Sequence, residues 1–415
     1  MRDRIFRLIP VGAVLLVGSL TMHGAQAKSS SAGPACGAPA VSGSQDYGGL
    51  VQAQNSMGFR LLRHLTAQNP SGDTFLSPTS VATALEMAYD GAVGSTRTAM
   101  ARTLGLAGMT PAQVRSRAPG LLGMLQPAHG AGPFIANSLW AQREVSFRRA
   151  FLQHARSGYG ATVRHIDLHA PSAPAAINSW VSCATRGKIS SIVGKIPPQT
   201  VLYLINAVYF SGAWQRPFNI ANTRTQPFTT GTGGKIEVPM MTASGSYWYH
   251  KTPKFQTVGL YYTHTRYVMV ILLPNKETPL RSFVAGITAS RWSRWVDRLT
   301  YLPGTLFLPR ISVRTDYGLV PTLTAMGMGT AFSDNADFSD MCVQPCKISD
   351  VRHRAFLKVD EKGTIAAAAT SVGIEPTAVQ TPQFTMTVNR PFVAGILDRR
   401  TGAVLFVGAI DNPVG

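Results

Sequence analysis

Val359-Asp360-Glu361-Lys362-Gly363-Thr364-Ile365-Ala366-Ala367-Ala368-Ala369-Thr370-Ser371-Val372-Gly373-Ile374 is the stretch on which the fold turns. Its first six residues close a strand. The four alanines that follow suit a helix, but Gly363 and Gly373 bracket them and β-branched residues stand on both sides. From Gly363 to Arg390 the chain runs 28 residues with few charges. A structureless loop of that length inside a compact domain is usually functional.

Outward from this segment the chain alternates helical and strand patterns. Val51, Met57, Leu61, Leu62 and Leu65 have helical spacing, which predicts a helix over Leu50 to Leu65. Ser77-Pro78 opens a second, to about Tyr89, with proline where a missing N–H matters least. Ser95 is expected to cap a third over Thr96 to Leu104. β-branched and aromatic runs predict strands at Phe134–Trp140, Val201–Phe210, Tyr267–Pro274 and Thr305–Val313. Helices are expected near Ala173–Ala184 and Tyr317–Met326. Phe392–Ile396 and Ala403–Ile410 around Arg400-Thr401-Gly402 read as a hairpin.

At the start, Arg2, Arg4 and Arg7 precede an apolar run from Ile9 to Leu20, and Ala25-Gln26-Ala27 offers a cleavage site. Residues 1–27 therefore read as a signal peptide rather than an anchor, because the run is too short and too broken by Pro10, Gly12 and Gly18 to span a bilayer. The expectation is a secreted chain, periplasmic or extracellular, with no stable membrane anchor. Residues 28–46 are rich in Gly, Ser, Pro and Ala and read as a flexible lead-in. Residues 47–415 show no long linker and no repeat, so one large domain is expected, as a monomer.

Without residues 1–27 the chain keeps 36 basic and 19 acidic side chains, a formal charge of +17. A polyanion partner is possible on that charge, but the basic residues are scattered, so no specific nucleic-acid site is expected. Cys36, Cys183, Cys342 and Cys346 are an even set, consistent with two disulfides in an exported chain. Cys342 and Cys346 flank Pro345 and suit a small loop closure. Among nine histidines none forms a metal-spaced cluster, and neither metal nor cofactor is expected. No Gly-x-Ser-x-Gly elbow, Ser-x-x-Lys pair, His-Glu-x-x-His or phosphate loop occurs, which argues against an enzyme.

The segment Glu361-Lys362-Gly363-Thr364, four alanines and Thr370 resembles the hinge of the serpin reactive-centre loop. Phe75-Leu76-Ser77-Pro78-Thr79-Ser80 is similar to the start of the family's second helix. Leu204-Ile205-Asn206-Ala207-Val208-Tyr209-Phe210-Ser211-Gly212-Ala213-Trp214 resembles a central strand of its main sheet. Asn389-Arg390-Pro391-Phe392 and Val407-Gly408-Ala409-Ile410-Asp411-Asn412-Pro413 resemble its closing strands. The resemblance covers nearly all of residues 47–415. It implies an α+β fold in one large domain, with three β-sheets, about eight or nine helices and an exposed reactive-centre loop near residues 363–388.

It implies equally a suicide substrate for serine proteases, cysteine proteases being possible, that traps the acyl-enzyme as its loop enters the main sheet. In that strand Thr364, Ala366, Ala368 and Thr370 would face the core and are all small, while Ile365, Ala367, Ala369 and Ser371 would face outward. Counting from Glu361 by the family's spacing places the reactive bond between Thr377 and Ala378. A small β-branched residue there suits elastase-like or subtilisin-like enzymes. The resemblance further assigns Ser77, Ser80, Asn206 and His353 to a hydrogen-bonded shutter beneath the sheet. It places Trp214, Arg310 and Glu361 at the breach where the loop enters, with Glu361 paired to Arg310. A serpin-like carrier or binding protein, cut without trapping, is the alternative; bulky or charged inward residues would mark it, and none stands here.

Overall fold

The computed structural model describes residues 46–127, 131–364 and 381–414. In chain order the elements begin with α1 (Gly48–Gln68), β1 (Thr74–Leu76), α2 (Pro78–Asp90), α3 (Gly94–Leu104) and α4 (Pro111–Leu125). There follow β2 (Gly132–Gln142), α5 (Arg149–Tyr159), β3 (Thr162–Ile166), α6 (Ala173–Ala184), β4 (Leu202–Ala213), β5 (Arg224–Thr229) and β6 (Lys235–Lys251). Then come β7 (Phe255–Tyr261), β8 (Tyr267–Pro274), α7 (Leu280–Ala285), α8 (Ala289–Asp297), β9 (Thr300–Pro309), β10 (Ile311–Gly318) and α9 (Val320–Leu323). The chain ends with β11 (Asp350–Asp360), β12 (Gly363–Thr364), β13 (Phe384–Thr387), β14 (Phe392–Asp398) and β15 (Val404–Ile410). Helices dominate the first third and strands the remainder.

The strands pair into a six-stranded sheet, ordered β10-β11-β12-β4-β2-β3, and a nine-stranded path, β1-β15-β14-β8-β7-β6-β9-β13 with β5 on β6. β6 explains why three sheets are expected and two hydrogen-bonded sets appear. Its 17 residues pair with β5 and β9 along most of their length and with β7 at the far end. Two arms thus share one strand.

α2 is buried at all of its positions. It contacts β2 and β4 on one side and β15 on the other, so it is the layer between the two sheets. Its start follows the sequence: Ser77 caps it by accepting from the Ser80 N–H, and Pro78 fills the first turn. β4 is buried on both faces. Leu202, Leu204, Val208 and Phe210 join the main core, whereas Tyr203, Ile205 and Ala207 pack with Trp140, Ile177 and Trp180 under α6. A strand covered on both sides reads as an unbroken apolar run, which is why Val201–Phe210 shows no alternation.

Four sequence expectations are corrected. Ser95 does not cap α3, which starts at Gly94 after Val93; the Asp337 backbone docks there instead, its carbonyl accepting from the Val93 N–H and its N–H donating to Thr96. Thr305–Val313 is not one strand, because Arg310 parts β9 from β10 and these lie in different sheets. Tyr317 still belongs to β10, which ends at Gly318, and the helix that follows is short: α9 passes into a π-type turn over Thr324–Met328 with Gly327 at φ 105°. The loop expected over 363–388 is strand at both described ends, since Gly363–Thr364 and Phe384–Thr387 are paired.

Candidate functional site

The six-stranded sheet has a seam. β4 and β11 run parallel and pair directly from Tyr203 opposite Asp350 to Tyr209 opposite Phe356. Above that, β12 lies between them, antiparallel to both: Thr364 faces Val359 and Gly212, and Gly363 faces Asp360 and Ala213. The first two hinge residues are therefore already sheet. Gly363 is required there, because φ is +150° and an added Cβ would stand 2.2 Å from the Gly212 carbonyl oxygen. Thr364 is fully buried, with its hydroxyl 2.6 Å from the Tyr262 hydroxyl.

Trp214 closes the top of the seam. Its N–H donates to the Lys362 carbonyl and its indole Nε1 to the Asp360 carbonyl, and its ring stacks on Tyr262 at 4.5 Å. Arg310 grips Glu361 through Nε and Nη2 at 2.8–3.1 Å, and the Thr223 hydroxyl donates to the same carboxylate at 2.6 Å. Burial pushes the Glu361 carboxyl up, but these hydrogen bonds outweigh it and hold it below the usual range. The site residues Trp214, Arg310 and Glu361 thus meet around the backbone of Asp360 to Lys362.

Lower on the seam lies a buried polar row. His353 on β11, Asn206 on β4 and Asn137 on β2 are in register across three neighbouring strands. The Ser77 N–H donates to His353 Nε2 at 3.2 Å, so the ring proton sits on Nδ1 and is donated to Asn206 Oδ1 at 2.6 Å. Asn206 Nδ2 then donates to Ser80 Oγ and Asn137 Oδ1 at 2.6 and 2.7 Å. Asn137 is the member that sequence reasoning missed; its only signal is an amide inside the apolar run Phe134–Trp140. Asp73 stands apart from this row, accepting from the Asp411 and Asn412 N–H groups.

A protonated His353 would set two donors against each other at Nε2. Burial acts the same way and lowers its pKa to about 3. In the unfolded chain a histidine protonates below about pH 6.5, so His353 contributes stability above that value which is lost as pH falls toward 3. A His353→Gln variant lacks this proton. The stability gap between wild type and His353→Gln, from urea unfolding, should shrink by about 1.4 kcal/mol per pH unit between pH 6 and 4. An unchanging gap would mean that His353 is not held neutral.

Cys342 and Cys346 form a disulfide. It closes a loop whose Val343 N–H donates to the Ser146 carbonyl, tying it to the turn after β2. Among the described residues no group of three or more His, Cys, Asp or Glu side chains could hold a metal, and no helix is long and apolar enough to cross a membrane. The signal peptide expected over residues 1–27, Ala366, Ala367, Ala368, Ala369, Thr370 and the expected reactive bond Thr377–Ala378 lie outside the described residues.

Comparison with known proteins agrees with this geometry. A family model described as serpin (serine protease inhibitor) matches residues 52–413. An uncharacterized serpin-like protein of Thermococcus kodakarensis is 35% identical over 376 residues, covering 88% of this chain and 86% of its own. The leukocyte elastase inhibitor of Sus scrofa is 32% identical over 379 residues, covering 88% of this chain and 99% of its own. Human thyroxine-binding globulin superposes with a TM-score of 0.82 at 28% identity, over 88% of this chain and 99% of that one.

Proposed function

Because this chain belongs to the serpin family, we propose that it inactivates serine proteases as a suicide substrate, cleaved at Thr377–Ala378 and trapping the acyl-enzyme as its loop inserts along the seam. The observation that carries this reading is the seam itself. Gly363–Thr364 already pairs with both β4 and β11, and below it those strands meet edge to edge with no covalent barrier to parting. Insertion exchanges one parallel ladder for two antiparallel ones, a net gain of one ladder, and each backbone hydrogen bond is worth about 0.5–1.5 kcal/mol net. The small residues at Ala366, Ala368 and Thr370 suit the same path.

Thr377 favours an elastase-like or subtilisin-like target, and likeness to an elastase inhibitor supports the first. We infer export from residues 1–27. A carrier role is the second reading, favoured by likeness to thyroxine-binding globulin. Mixing the protein with elastase and subtilisin separates the two. An adduct that survives boiling in SDS, with a released fragment beginning at Ala378, is expected. Cleaved chain beside fully active protease supports the carrier.

A further inference from the structure

An exposed ladder of rings and guanidiniums crosses β7, β6 and β9. Arg399 lies over the Tyr261 ring at 4.9 Å, Tyr261 and Trp248 are 6.1 Å apart, Trp248 and Tyr301 are 5.7 Å apart, and Arg216 lies 5.9 Å from the Tyr301 ring. Trp248 is 37% exposed and Tyr301 50%. Strand register builds the row: Trp248 stands opposite Tyr301 on β9 and Gly259 on β7. Tyr261, two residues on, shares that face.

Burying an aromatic ring away from water is favourable, so three rings held partly in water, two of them under arginines, are not what folding alone favours. Tryptophan, tyrosine and arginine are the residues that dominate interface hot spots. The ladder contains no carboxylate, and the neighbouring Asp398 and Glu361 are buried and already paired with Arg266 and Arg310. One end is fixed by a strained turn. His264 and Thr265 adopt φ of 65° and 54°, and Arg399 Nη1 donates to the Thr265 carbonyl.

Its position is as informative as its composition. Tyr262, beside Tyr261, holds the Thr364 hydroxyl. The Gln383 N–H donates to the Pro303 carbonyl, two residues from Tyr301. The ladder therefore borders both points between which a protease would attack.

We propose that this ladder is a docking surface for the attacking protease, engaging a face that offers carboxylates to Arg216 and Arg399 and an apolar side chain to Trp248. The inference rests on the inhibitor reading above, so its test includes a measurement that does not need trapping. Rates of covalent complex formation with subtilisin and elastase are compared for wild type, Trp248→Ala/Tyr301→Ala and Arg216→Glu/Arg399→Glu at low and high salt. Affinity is measured in parallel for each protease with its nucleophilic serine replaced by alanine.

Charge reversal is expected to slow complex formation by about tenfold at low salt and to flatten its salt dependence. The alanine pair is expected to weaken the inactive protease about tenfold at any salt. The fraction trapped rather than merely cleaved should not change. Loss of affinity for the inactive protease without any covalent adduct in wild type would keep the docking surface and sink the inhibitor reading. Variants within twofold of wild type in both measurements would overturn the docking surface. So would an effect confined to sedimentation, which would make the ladder a contact between two copies of this chain.

Discussion

A Thr364→Arg variant is expected to be cut by the target protease yet to release it active. Thr364 is the first inward residue of the inserting strand, fully buried, with its hydroxyl against Tyr262. Thr364 already lies between β4 and β11, so an arginine there is expected to be expelled from the seam in the intact chain, and insertion would have to carry its charge back beneath Trp214, where the Glu361 carboxylate is already held by Arg310. Burying an unpaired charge costs several kcal/mol, and each 1.4 kcal/mol that slows insertion relative to deacylation shifts the outcome about tenfold. SDS-stable complex should fall by at least about tenfold while the cleavage rate holds, and Thr364→Ser should behave as wild type. If Thr364→Arg still trapped the protease, the loop would not be entering by this seam.

The chain severed between Thr377 and Ala378 is expected to melt far above the intact one. The directly paired stretch of β4 and β11, from Tyr203 with Asp350 to Tyr209 with Phe356, is what insertion must part. The new strand then bonds to both neighbours, so the net is a ladder of several hydrogen bonds plus burial of small side chains, on the order of 10 kcal/mol. At roughly 2 °C per kcal/mol for a large domain, the melting temperature should rise by about 20 °C. The opposing term is the His353–Asn206 hydrogen bond, which spans the seam and is broken when a strand at about 4.8 Å spacing comes between them. Calorimetry of the intact and severed proteins decides the matter. Equal melting temperatures would remove the energy source on which trapping depends.

Much of this arrangement was legible in the sequence. Tyr267–Pro274 and Ala173–Ala184 are found at the expected residues, because an apolar run bounded by turn residues and an amphipathic run with Pro at its start are local signals. Ser77, Ser80, Asn206 and His353, named together at the outset, are joined by hydrogen bonds in the structure. What escaped was set by distant partners. Asn137 matters because register places it opposite Asn206. Ser95 lost the cap to the backbone of Asp337, far along the chain. The break at Arg310 reflects a change of sheet, and β-propensity on either side of it carries no sign of that. The ladder around Trp248 is invisible in sequence because its five members come from five separate segments.

α6 covers one side of the seam and not the other. Its core partners, Trp140, Tyr203, Ile205 and Ala207, belong to β2 and β4, and none belongs to β11. If the sheet parts as proposed, α6 travels with β2, β3 and β4 as one slab, while β10 and β11 slide away as another and give up the Arg354–Ser191 hydrogen bond. Neither slab need repack its interior. The work of opening is then confined to a single sliding boundary, and substitutions deep within either slab should alter how firmly the protein stands without altering how readily it parts.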